Sequence, residues 1–203
     1  MKVLVGCEFS GTVREAFRKL GHDAYSCDLL PSDDGSQYHY QCDIFDLLTK
    51  DHAWDLIILH PPCTALAVSG NAWYGENMKK HNERVKAVAW TFKLWNQAMA
   101  VCDKVALENP VGVLPRLAGM YPNQYIQPYQ FGHAESKKTG LWLHGLPTLE
   151  ATDDVKAEYE SLPVNVAQRL HYLPPSKDRW KVRSKTFDGI ARAMAEQWGG
   201  HSS

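Results

Sequence analysis

Short apolar runs that stop abruptly at a breaker or a polar residue constrain this chain most. Val3-Leu4-Val5 ends at Gly6, Leu56-Ile57-Ile58-Leu59 ends at His60-Pro61-Pro62-Cys63, and Val105-Ala106-Leu107 ends at Glu108-Asn109-Pro110. Apolar runs this short, bounded by Gly or Pro, read as buried strands. Helical spacing separates them. Val13, Ala16, Phe17 and Leu20 recur at i, i+3, i+4 and i+7, and Gly21 closes that helix. Asn82 to Cys102 is a longer helical stretch with an apolar face of Val85, Val88, Ala89, Phe92, Leu94 and Trp95. His22 to Asp28 reads as a second strand, a short third segment precedes Asp43, and Thr139 to His144 is a late strand. Arg183 to Trp198 reads as a turn and a final helix. This alternation predicts an α/β fold, a Rossmann-like parallel sheet with helices on both faces.

A chain of 203 residues predicts a single domain over 1–203 with a substantial core. No apolar run approaches the ~18 residues of a membrane span. Met1 to Val5 leads straight into Gly6 without a leader-like stretch. The five cysteines are odd in number and form no C-x-x-C pair, which argues against a disulfide framework and a zinc ribbon. Free thiols fit a reducing compartment, so the expectation is a cytoplasmic protein with no membrane and no metal. The formal net charge of -1 gives no global basic field, though a local basic face is compatible with it.

In open α/β sheets, ligands bind beyond the carboxyl ends of the strands. Cys63 stands there on a loop stiffened by Pro61 and Pro62, which makes its thiol a candidate nucleophile rather than a core cysteine. Glu108 ends another strand and shares that edge if the two strands are neighbours. The turn Gly6-Cys7-Glu8-Phe9-Ser10-Gly11 lets backbone approach a ligand at a helix N-terminus. Asp28, at the end of the second strand, suits ribose hydroxyls. Asp43 reads first as a helix cap for Ile44 onward, and at that place it also suits an adenine amino group. The turn is not G-x-G-x-x-G, which weighs against NAD. Loop aromatics Trp73, Tyr74, Tyr125, Tyr129 and Phe131 could stack on bases or anchor their loops. Lys137-Lys138 could hold a phosphate or a base edge, or form a solvated face.

In order along the chain, this set resembles the DNA (cytosine-5) methyltransferases, and in particular the short methylase-like proteins of bacteriophages. The resemblance rests on the first loop, Asp28, Asp43, Pro62-Cys63, Glu108-Asn109, the lysine pair and the Arg183–Trp198 segment, and it spans the whole chain. It implies an S-adenosylmethionine-dependent methyltransferase fold acting on a cytosine flipped out of DNA. Cys63 would be the nucleophile and Glu108 its partner at the ring. Gly6 to Gly11, Asp28, Leu29, Asp43, Ile44, His60, Pro61, Arg183 and Ser184 would border the cofactor. Pro62, Asn109, Pro110, Lys137 and Lys138 would border the substrate.

The chain departs from the family pattern in three places. Asn109 is followed by Pro110 where the family has valine, lysines replace the later Arg-x-Arg, and there is no room for a separate target-recognition domain. Only the loops and residues 150–181 could serve as a small recognition insertion. Other readings stay open: an exocyclic-amine (N4-cytosine or N6-adenine) methylase, an RNA or free-nucleotide cytosine methylase, and a catalytically silent DNA-binding protein. His60-Pro61-Pro62-Cys63 lacks the leading amide or acid and the aromatic of the amino-methylase loop.

Overall fold

The computed structural model describes residues 1–200. Along the chain run β1 (Lys2–Gly6), α1 (Thr12–Lys19), β2 (Asp23–Asp28), β3 (His39–Gln41), α2 (Ile44–Leu47) and β4 (Leu56–Leu59). Then come α3 (Asn71–Tyr74), α4 (His81–Val101), β5 (Val105–Pro110), α5 (Leu114–Ala118), β6 (Gln124–Ile126) and β7 (Thr139–His144). Five helices follow: α6 (Lys156–Ser161), α7 (Val164–Ala167), α8 (Arg169–Tyr172), α9 (Arg179–Ser184) and α10 (Asp188–Gly199).

The strands form one Rossmann-like sheet in the order β3-β2-β1-β4-β5-β7-β6. From β3 to β5 all neighbours are parallel. The parallel run ends at β5, and β7 pairs antiparallel with both β5 and β6. The chain from β5 reaches β6 through α5, so β6 returns parallel to β5 with a gap between them that β7 fills as a reversed strand. Pro110 is tolerated at the end of β5, where no further ladder bond is needed.

Alternation along the strands sorts the core into two layers. Leu4, Ile57, Leu59, Val105 and Leu107 face α2, α4 and α5. Val3, Val5, Leu56, Ile58 and Ala106 face α1 and α10. α10 buries Ile190, Ala191, Met194 and Trp198 against the second layer, as the spacing predicted.

α4 departs from the sequence reading. Its buried side chains are Arg84, Val88, Thr91, Leu94 and Ala98, while Val85 and Phe92 lie half exposed. The true stripe starts one residue earlier because Arg84 is buried in a job of its own. Its guanidinium donates to the carbonyls of Ala65 (2.6 Å) and Ala67 (3.2 Å) and to the Asn71 side chain (2.7 Å). It thereby holds the segment that leaves Cys63. Segment 65–80 contains α3, and segment 110–138 contains α5 and β6. Residues 150–181 carry the short helices α6, α7 and α8 and the start of α9.

Candidate active site

Strand register assembles the site. Cys27 pairs with Gly6, Gly6 with Leu59, and Leu59 with Leu107. The next residue of each strand therefore forms one row along the carboxyl edge: Asp28, Cys7, His60 and Glu108. Residues far apart in sequence become neighbours because parallel strands end together.

The first half of this edge, beneath β1, β2 and β3, surrounds a pocket of about 310 Å³. Asp28, Leu29, Asp43, Ile44 and Cys7 line it, all expected from the sequence. Gly6 makes room for it, since a Cβ there would lie 2.7 Å from the Ile44 side chain. Gly11 is left-handed (φ 72°) and packs against the Arg14 guanidinium. Cys7 also takes a left-handed backbone (φ 60°), an uncommon conformation for a residue with a Cβ. Asp28 accepts from the Leu30 N–H (2.9 Å), and Asp43 accepts from the Phe45 N–H (3.0 Å), capping α2. Thus Asp43 is a cap and a pocket residue together. Burial pushes the Asp28 carboxyl up, against the opposing N–H of Leu30. Burial, then Asp28 and Asp43, pushes the Cys7 thiol up as well.

The opposite wall comes from α4 through Ala87, Trp90 and Thr91, with Cys27 and Cys42 at the back. Sequence reasoning assigned none of these to the site. Trp90 and Thr91 sat inside a helix read only for its core face. Pro62, expected near the substrate, lines this pocket instead. Gly6, Glu8, Phe9, Ser10, Gly11, His60, Pro61, Arg183 and Ser184 do not line it. Phe9 lies against Trp180 of α9, with ring centroids 5.6 Å apart. The Ser184 hydroxyl donates to the Lys181 carbonyl at the end of α9.

The second half, beneath β4 and β5, is a network rather than an open pocket. His60 Nδ1–H donates to Glu108 Oε2 at 2.8 Å, with both side chains largely buried. The Asn109 amide donates to the Pro61 carbonyl (2.9 Å), a second tie between the strands. The Cys63 carbonyl accepts from the N–H groups of Leu66 and Ala67, which turns the chain sharply after the thiol. Burial pushes the Cys63 thiol up; Lys137 and Arg183 pull it back and Glu108 adds to the rise, with a net rise. Burial also pushes the Glu108 carboxyl up, but Lys137, the His60 ring and the Thr186 hydroxyl outweigh it and hold it below its ordinary value. Glu8 is the reverse case. Its carboxylate caps α1 by accepting from the N–H groups of Val13 (2.7 Å) and Arg14 (3.3 Å). Burial dominates there and the carboxyl is raised, despite the His60 charge and those two donors.

The lysine pair divides. Lys137 acts on both Cys63 and Glu108 and donates to the Lys185 carbonyl. Lys138 lies over the Tyr125 ring, 4.7 Å from its centroid. Among the loop aromatics, Phe131 is core and Tyr129 packs on Tyr159, while Trp73 is the most exposed. Among the described residues, no cluster of His, Cys, Asp or Glu has the arrangement of a metal site, and no helix is long and apolar enough to cross a membrane.

No protein-family model matches this chain, and no curated protein matches it. Among solved structures it is similar to a protein assigned as a DNA modification methyltransferase encoded within an E. coli prophage. The identity is 14%, over 81% of this chain and 56% of that one, with a TM-score of 0.46. It is also similar to the Dnmt2 methyltransferase of S. pombe, at 14% identity over 88% of this chain and 61% of that one, with a TM-score of 0.47. The chain therefore spans 56–61% of the length of these two proteins. Likenesses of this size fix no residue of the site.

Proposed function

We propose that this chain is an S-adenosylmethionine-dependent methyltransferase that acts on C5 of cytosine in DNA through a covalent bond from Cys63 to C6. One observation carries the reading. Pro62 lines the nucleoside-sized pocket, and the next residue is a thiol on the same edge as a buried carboxylate.

The pocket fits the cofactor. Its volume lies at the lower end of the range of small-molecule sites. Its walls are largely apolar, and two strand-end acids stand where ribose and adenine donors need acceptors. Asp28 would take the ribose, Asp43 and Ile44 the adenine, and Trp90 with Pro62 the remaining walls. When bound, S-adenosylmethionine supplies an electrophilic methyl group.

The chain's own residues do the rest. Cytosine C5 is a weak nucleophile until C6 is attacked. Cys63 Sγ, having lost its proton, adds to C6 and turns C5 into an enamine carbon. Lys137 and Arg183 favour the thiolate that burial disfavours. Electron density moves toward N3, which Glu108 stabilises once its carboxylate has taken up a proton from water and shares it with the ring. Once C5 carries the methyl group, water takes the C5 proton and the Sγ–C6 bond breaks, returning the Cys63 thiolate. A cytosine in a duplex must leave the stack to reach a thiol at this edge. Lys137 and Arg183 supply cations that act on that thiol.

The test is mass spectrometry of nucleosides after incubating the purified protein and S-adenosylmethionine with DNA and, separately, RNA. The expected product is 5-methylcytosine in DNA. N4-methylcytosine, N6-methyladenine, a methylated base in RNA alone, or no product overturns the reading.

A further inference from the structure

We propose that His60 is a positioning residue for Glu108: it fixes one carboxyl oxygen so that the other is presented to the base. This rests on the reading of Glu108 as the partner of the cytosine ring. Three observations support it. His60 Nδ1 lies 2.8 Å from Glu108 Oε2, and a carboxylate can only accept, so the proton is on Nδ1. Both side chains are nearly buried, at 10% and 7% exposure. The backbone of His60 is itself fixed, its N–H donating to the Gly6 carbonyl (2.9 Å) and two prolines following it.

The chemistry needs such a group. The terminal torsion of a glutamate is broad and roughly two-fold, so an untethered carboxyl samples many orientations. A ring contact at N3 requires one oxygen held in the plane of the base. With Oε2 engaged by His60, Oε1 is the oxygen left to face the ring, with the Thr186 hydroxyl also bonding the carboxyl. The carboxylate can take up a proton at Oε1 from water, lend it to N3 as C6 is attacked and recover it when the C6 adduct collapses, while Oε2 keeps its bond to His60 throughout.

The imidazole sits between two buried carboxylates. Glu108 faces it from β5 and Glu8 from the turn after β1. Lys137 approaches Glu108 from the segment before β7, Arg183 reaches Cys63 from α9, and Cys63 shares the loop of His60. Nε2 has no protein partner among the described residues, so Glu108 is the ring's sole hydrogen-bond partner.

Two variants test the idea. Asparagine places an amide N–H the same number of bonds from Cα as Nδ1, whereas leucine keeps bulk without a donor. His60→Leu should lower kcat about 100-fold, the scale of a misplaced reacting group, with KM nearly unchanged. His60→Asn should recover most of that loss. Wild-type kcat in His60→Leu overturns the proposal, and so does an equal loss in both variants. Imidazole NMR on labelled protein without substrate separates this proposal from the enzymatic reading. The proton should be on Nδ1, with a slowly exchanging signal that is lost in Glu108→Leu. A proton on Nε2 instead, or a signal unchanged in Glu108→Leu, overturns the proposal even if no methylated product is found. The expected signal without product leaves the His60–Glu108 tie intact and removes the proposed reaction.

Discussion

The two halves of the carboxyl edge are built differently. Beneath β1 to β3 each acid is satisfied locally: Asp28 by an N–H two residues on, Asp43 by another two residues on. Beneath β4 and β5 the polar groups reach across the chain, and both the His60–Glu108 and Asn109–Pro61 bonds span 48 residues. The first half can form from local turns once the strands stop. The second exists only if two distant strands are in register. Side chains of the first half should therefore govern binding. Those of the second should govern reaction.

The largest expected effect belongs to the second half. Cys63→Ser should reduce methyl transfer by at least about 10³-fold, since a weak nucleophile replaces a strong one at nearly constant volume. Its thermal unfolding should stay close to wild type, and cofactor affinity by calorimetry should be unchanged. A loss of cofactor binding would break the division between the halves. Glu108→Gln comes next. It should cost about 10²–10³-fold in kcat, the scale of a lost transition-state hydrogen bond, with the cofactor still bound. Single-turnover kinetics at saturating cofactor would measure it.

Asp28→Ala should show the opposite pattern. It should weaken cofactor binding by about 1.5–3 kcal/mol, the value of a hydrogen bond to a charged group, while kcat at saturating cofactor is retained. Because burial raises the Asp28 carboxyl, wild-type cofactor affinity should begin to fall at a higher pH than an ordinary aspartate would give. Unchanged affinity in a folded Asp28→Ala protein would remove this residue from the site.

The smallest effect is on stability, and it contrasts the two carboxylates around His60. Glu8 is raised above its ordinary 4.5, so its contribution is full below that value and lost as pH rises through its folded pKa. Glu108 is lowered, so its contribution is full above 4.5 and lost as pH falls through its folded pKa. Denaturant unfolding across pH should show Glu8→Gln removing the loss toward higher pH and Glu108→Gln removing the loss toward lower pH. Identical pH profiles for the two variants would contradict the contrast.

The same division explains what the sequence disclosed. Apolar runs ending at Gly6, His60 and Glu108 located β1, β4 and β5, because a buried strand with a breaker after it has few alternatives. Asp28, Asp43 and Cys63 followed from their places at strand ends. The antiparallel β7 was not legible, since Thr139 to His144 reads the same in either direction. Trp90 and Thr91 were hidden by a helix whose buried stripe runs through Arg84, a residue that composition alone assigns to solvent. The link between His60 and Glu108 depends on the pairing of Leu59 with Leu107, and neither residue announces that register. The short helices of 150–181 are too polar and too brief to show a period.

The most direct test of the central claim is covalent trapping. DNA containing 5-fluorocytosine cannot release its C5 substituent as a proton, so the enzyme should remain joined to C6 after methyl transfer. Mass spectrometry of the digested complex should place the nucleotide on the peptide containing Cys63, and Cys63→Ser should form no complex. An adduct on Cys7 or another cysteine, or methylation that persists in Cys63→Ser, would contradict the account.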